Sequence, residues 1–128
     1  MDQEQIMRAA NIEREARVLE ENLQFVDNQI AELENFKEGL LAFSLSEEKE
    51  MLSPFGKRVY IKTKVEDKDK LFVEVGAGVI VKKTPAETIK IVEGQVSRLK
   101  EARNQIANQL AAYQIELEAF IRTMQEES

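Results

Sequence analysis

Apolar residues recur in the first third of the chain at alternating spacings of three and four. Ala9, Ile12, Ala16, Leu19, Leu23, Val26, Ile30 and Leu33 follow one another without a polar break, and Lys37 and Leu40 extend the series. This rhythm keeps one narrow stripe of a helix turned toward a partner helix, which is the pattern of a coiled coil. Glu13, Arg17, Glu20, Asp27 and Glu34 fall off the stripe and stay solvated.

The last third repeats the rhythm. Ile89, Val96, Arg103, Leu110, Leu117 and Met124 occupy one seam position; Val92, Leu99, Ile106, Tyr113 and Phe120 occupy the other. Thr84-Pro85-Ala86-Glu87 reads as the start of this second helix. Thr84 caps, Pro85 sits where its missing N–H costs nothing, and Glu87 completes a capping box. Two helices of similar length on either side of a central segment fit an antiparallel pair folded back on itself. Each spans about 65 Å at 1.5 Å per residue. Arg103 and Lys37 are polar breaks in the two seams, and such breaks more often set register than bind a ligand.

Between the helices the period changes to two. Val59, Ile61, Thr63 and Val65 alternate with Tyr60, Lys62 and Lys64, and Leu71, Val73 and Val75 alternate with Phe72 and Glu74. A polar turn, Glu66-Asp67-Lys68-Asp69-Lys70, separates these strands. Gly76-Ala77-Gly78 breaks the run before Val79-Ile80-Val81-Lys82, and Met51-Leu52-Ser53-Pro54 gives a shorter strand upstream. Four strands in two hairpins are expected. The chain thus reads as one α+β domain in three parts: a coiled-coil helix over 1–43, a hairpin segment over 44–84 and a coiled-coil helix over 85–128.

The composition removes most chemistry. The chain has no Cys and no His, so a disulfide framework, a thiolate nucleophile, a Cys/His zinc site and a His-based triad are excluded. Paired carboxylates such as Glu20-Glu21 and Glu47-Glu48 are sequence neighbours, diverge on a helix and make poor acid–base partners. Gly76-Ala77-Gly78 lacks the third glycine of a dinucleotide fingerprint and precedes a strand, so it reads as a turn. No enzyme, cofactor or metal is expected. The net charge is −6, made of 10 acids and 4 bases over 1–43, 7 and 9 over 44–84, and 7 and 5 over 85–128. Nucleic acid and anionic membranes are therefore disfavoured partners. Lys62, Lys64, Lys68, Lys70, Lys82 and Lys83 read as a solvated strand face. Without a membrane-length apolar run or signal-peptide pattern, a cytoplasmic location is expected.

Two isolated hairpins are marginal in water and leave open edges. Val59, Ile61, Val65, Leu71, Val73, Val79 and Val81 need cover, and the helices are already occupied with each other. The strands are expected to complete a sheet or barrel with other subunits.

Ser53-Pro54-Phe55-Gly56 before an alternating strand, and the run from Val75 to Thr84 (VGAGVIVKKT), resemble the alpha-class subunit of archaeal prefoldin. The order helix, two hairpins, helix resembles that class over the whole chain; beta-class subunits have one hairpin. The resemblance implies an ATP-independent holdase in which two alpha-class and four beta-class subunits join through their hairpins into a double β-barrel. It further implies coiled-coil tips that hold non-native client proteins and pass them to a group II chaperonin. Only Gln125-Glu126-Glu127-Ser128 follow the last heptad, a departure from the charged tails of the family. An alpha-like paralogue forming homo-oligomeric filaments, or a coiled-coil scaffold, is the alternative.

On this reading the client contacts are Ile6, Met7, Ala10 and Ile12 at one helix end, and Ile115, Leu117, Phe120, Ile121 and Met124 at the other. Ile6, Met7, Ala10, Ile115 and Ile121 lie off the seam, where greasy side chains near fraying ends suit promiscuous contact. Ile12, Leu117, Phe120 and Met124 equally suit closure of the seam.

Overall fold

The computed structural model describes residues 2–127. The elements run α1 (Gln3–Leu45), β1 (Glu50–Gly56), β2 (Val59–Lys64), β3 (Leu71–Gly76), β4 (Val79–Lys83) and α2 (Pro85–Glu127). Each helix has 43 residues. The strands form two separate antiparallel sheets, β1 with β2 and β3 with β4.

The described residues fall into two compact units. One holds α1 as far as Glu32 and α2 from Val96 onward; the other holds Leu33–Gln95. In the first, polar contacts fix the direction of the helices. Arg8 meets Glu116 at 3.3 Å, Tyr113 meets Glu15 at 2.6 Å and Arg103 meets Asp27 at 2.6 Å. Partners on α2 come earlier as positions on α1 come later, so the pairing is antiparallel. Ile12 is fully buried at 0% exposure, Ala16 and Val96 are buried, and the other seam residues of this unit are half-buried, apart from Arg103 and Met124, which are exposed. Arg103 reaches Asp27 across the pair, whereas Lys37 bonds Glu34 one turn back at 3.1 Å.

Both helices begin with reciprocal caps. The Glu87 N–H donates to Thr84 Oγ1 and the Thr84 N–H donates to Glu87 Oε1, both at 3.1 Å. At α1 the Gln5 N–H donates to Asp2 Oδ1 at 2.8 Å and the Asp2 N–H donates to Gln5 Oε1 at 3.1 Å. Each pair satisfies donors that the first turn leaves without helical partners.

In the second unit, Leu40, Pro85, Thr88 and Val92 are buried. The last turn of α1 contains no basic residue. Carbonyls at this end are met in other ways: the Ser44 hydroxyl of the same turn donates to Leu41 O at 2.8 Å, and Lys68 Nζ donates to Phe43 O at 3.1 Å and to Ser46 O just past the helix. The same ammonium lies 5.0 Å from the centre of the Phe43 ring. Lys68 therefore departs from the solvated face expected for it. It is a cation supplied from the turn between hairpins to the negative end of a helix dipole. Of the other lysines in that stretch, Lys62 pairs with Glu50 at 2.9 Å and Lys70 with Asp67 at 3.8 Å.

The hairpins share one construction. Each has a register irregularity before its turn, between Pro54 and Gly56 in one and between Glu74 and Gly76 in the other. Each closes through two residues of positive φ: Lys57 and Arg58 at 47° and 67°, Ala77 and Gly78 at 51° and 75°. Two consecutive positive φ values are the mark of a tight hairpin turn whose twist matches that of the strands. A non-glycine residue there costs about 1 kcal/mol.

Candidate functional site

Two surfaces carry exposed apolar side chains that the fold itself does not use. The first lies at the end of the helix pair where α1 begins and α2 finishes. The Arg8–Glu116 contact brings the start of α1 level with the last turns of α2. Ile6, Met7, Ile115, Ile121 and Met124 are each more than half exposed, and Ala10 is exposed beside them. Leu117 and Phe120 are half-buried in the seam. Ile12 is the exception among the residues expected to touch a client. It has no exposed surface, because the stripe turns it wholly into the helix interface. Met124 departs in the other direction, being 56% exposed at its seam position.

One feature of this unit has no counterpart in the seam pattern. Val18 and Phe25, one heptad apart and off the seam, are more than half exposed. Next to Val18, Arg14, Glu15, Leu19, Gln109 and Tyr113 line an open hollow of about 330 Å³. The Tyr113 hydroxyl donates to the Glu15 carboxylate across it, and that bond raises the phenol above its ordinary pKa. The heptad spacing of Val18 and Phe25 is visible in the sequence, but it belongs neither to the seam nor to the helix ends.

The second surface lies on the hairpins. The expected assembly residues divide. Val59, Ile61 and Val79 are exposed, whereas Val65, Leu71, Val73 and Val81 are half-buried. In β3–β4, Val73 pairs with Val81 and Leu71 with Lys83, all on the partly covered face. The opposite face presents Phe72 at 67% and Ile80 at 63% exposure. On β1–β2, Leu52 and Tyr60 are likewise open, and Phe55, the residue displaced by the register irregularity, is 75% exposed. The sequence signal for this second face was the unbroken apolar runs Leu71-Phe72-Val73 and Val79-Ile80-Val81. Strands apolar on both faces are strands covered on both faces.

Among the described residues no cluster of three His, Cys, Asp or Glu side chains could hold a metal ion. No helix among them is long and apolar enough to cross a membrane. Glu87 sits with its carboxyl held below the usual carboxylate range, chiefly by the hydrogen bonds from Thr84.

The sequence matches the prefoldin subunit family model over residues 12–128. It is 27% identical to the prefoldin subunit alpha of Thermofilum pendens over 117 residues, 89% of this chain and 86% of that one. It is 27% identical to the prefoldin subunit alpha of Pyrococcus horikoshii over 117 residues, 90% and 79% of the two chains. The fold resembles the cryo-EM structure of filamentous PFD from Methanocaldococcus jannaschii, with a TM-score of 0.75 at 24% identity, covering 89% of this chain and 95% of that one. Helix, two hairpins and helix in that order, a family match over nearly the whole length and archaeal relatives of the alpha class agree: the chain belongs to the prefoldin subunit family and resembles its alpha class.

Proposed function

We propose that the chain is a holdase subunit that binds non-native proteins without ATP and passes them to a group II chaperonin from the cytoplasm. The observation that carries this reading is the group of exposed apolar side chains at the open end of the helix pair: Ile6, Met7, Ile115, Ile121 and Met124. Holding requires reversible apolar contact on an adaptable surface and no chemistry. Flexible Met and branched aliphatic side chains near helix ends supply it. Leu117, Phe120 and Ala10 flank that surface, and Ile12 anchors the seam beneath it. On the same reading two copies join four beta-class prefoldin subunits through the hairpins.

Truncation tests the holding surface. Removing residues 1–10 and 117–128 is expected to abolish suppression of client aggregation while hairpin-mediated assembly persists. Full holding activity after truncation would rule the helix ends out.

A second reading has one specific observation in its favour, the likeness in fold to a filamentous prefoldin. Native mass spectrometry separates the two. A species with two copies of this chain and four of a beta-class partner supports the hetero-oligomer; a ladder of homo-oligomers indifferent to that partner supports the filament.

A further inference from the structure

The helix-pair unit holds the whole net charge of the chain. Residues 1–32 and 96–128 carry 13 acids and 7 bases, whereas residues 33–95 carry 11 of each. Three of the seven bases are already engaged, Arg8 with Glu116, Arg17 with Glu13 and Arg103 with Asp27. Among the described residues the same unit has seven large apolar side chains more than half exposed. Each has a carboxylate one helical turn away. Asp2 stands a turn from Ile6 and Glu4 a turn from Met7. Glu21 serves both Val18 and Phe25, Glu118 both Ile115 and Ile121, and Glu127 Met124. All five of these acidic residues are exposed. Of the seven bases, Arg14 alone stands a turn from any of these apolar residues, beside Val18.

Residues three or four apart on a helix have Cβ atoms about 5–6 Å apart. In an extended segment, side chains two residues apart share one side and stand about 6.5–7 Å apart. An apolar residue followed two positions later by Lys or Arg therefore reaches an exposed apolar side chain and its carboxylate together. We propose that the helix-pair unit selects cationic clients: extended non-native segments in which apolar residues alternate with Lys or Arg. This selection rests on the holding reading above and names the clients that the surface takes. Charge complementarity fixes the occupant. An acidic segment meets a like charge beside every apolar contact, and nucleic acid is repelled for the same reason. The carboxylates are spaced along both helices with the apolar residues and do not gather into one patch, so they suit a flexible chain rather than a second folded surface. Each exposed pair is weak, and the preference arises from several made at once.

The test uses the full chain in its native assembly and three fluorescent unstructured peptides, built on the same leucines with Lys, Gln or Glu two residues after each. Fluorescence anisotropy reads affinity. The Lys peptide is expected to bind about tenfold more tightly than the Glu peptide at about 0.05 M salt, with the Gln peptide between them, and the spread is expected to close to about twofold at about 0.5 M. E4Q/E21Q/E118Q keeps side-chain size and helix preference. In that variant the Lys-to-Gln affinity ratio is expected to fall towards one, with helix content by circular dichroism unchanged. Equal binding of all three peptides to the parent overturns the cationic preference and leaves holding in place. No binding of any peptide overturns the holding reading and the preference with it. A Lys preference undiminished in E4Q/E21Q/E118Q overturns the assignment to these carboxylates; if that variant also loses association with the chaperonin, the carboxylates belong to the chaperonin contact instead.

Discussion

Thr84 and Glu87 satisfy each other's backbone N–H groups, Thr84 from a half-buried position and Glu87 from an exposed one. Capping therefore contributes more here than burial. Thr84→Ala is expected to destabilise the chain by about 1 kcal/mol, read by thermal or urea unfolding. The carboxyl of Glu87 is held low by the Thr84 hydrogen bonds, so its charged form is the one the fold favours. The sign follows: the contribution is present above the ordinary carboxylate pKa and is lost as pH falls through the lower folded value. Melting temperature against pH is expected to drop less steeply on the acid side in Glu87→Gln than in the parent, and to differ little between the two at the lowest pH. The same capping grammar stands at Asp2 and Gln5, where Asp and Gln replace Thr and Glu. Its Asp-x-x-Gln spacing is as legible in the sequence as the Thr-x-x-Glu of the second box.

At the scale of the elements, the seam is unequal along its length. Ile12 has no exposed surface, while the Arg103–Asp27 pair is about half exposed on each side. Ile12→Ala removes buried methyl groups and opens a void, and is expected to cost about 2–5 kcal/mol. Arg103→Ala gives up a solvated ion pair and is expected to cost less than about 1 kcal/mol. Urea titration of the two variants side by side checks the ranking; equal losses would mean that Arg103, not the apolar stripe, holds the register. Both helices and both hairpins were legible in the sequence because each rests on local periodicity, 3.5 or 2, with a capping or turn signal at its edge. Lys68 was not. Its role depends on a contact with Phe43 and Ser46 more than twenty residues away, and no local pattern announces that a helix lacking a basic last turn will receive its cation from a distant turn.

For the whole molecule, the decisive quantity is the surface left open. Large apolar side chains of both hairpins stand open, Leu52, Phe55, Phe72 and Ile80 among them, each more than 60% exposed. Period-two alternation assigns one apolar face per hairpin and singles out Val59, Ile61, Val65, Leu71, Val73, Val79 and Val81. The structure splits that set by partly covering Val65, Leu71, Val73 and Val81, and leaves Phe72 and Ile80 as the open side of the second hairpin. The two faces are thus expected to answer differently to the same substitution. Phe72→Ser with Ile80→Ser is expected to yield a dissociated chain with unchanged helix content, because the lost contacts lie between subunits. Val73→Ser with Val81→Ser is expected to lower the melting temperature of the dissociated chain itself, because those side chains are already half-buried within it. Sedimentation with far-ultraviolet circular dichroism reads both. If the valine pair dissociates the assembly at unchanged stability and the Phe72–Ile80 pair does not, the interface lies on the face that the alternation named.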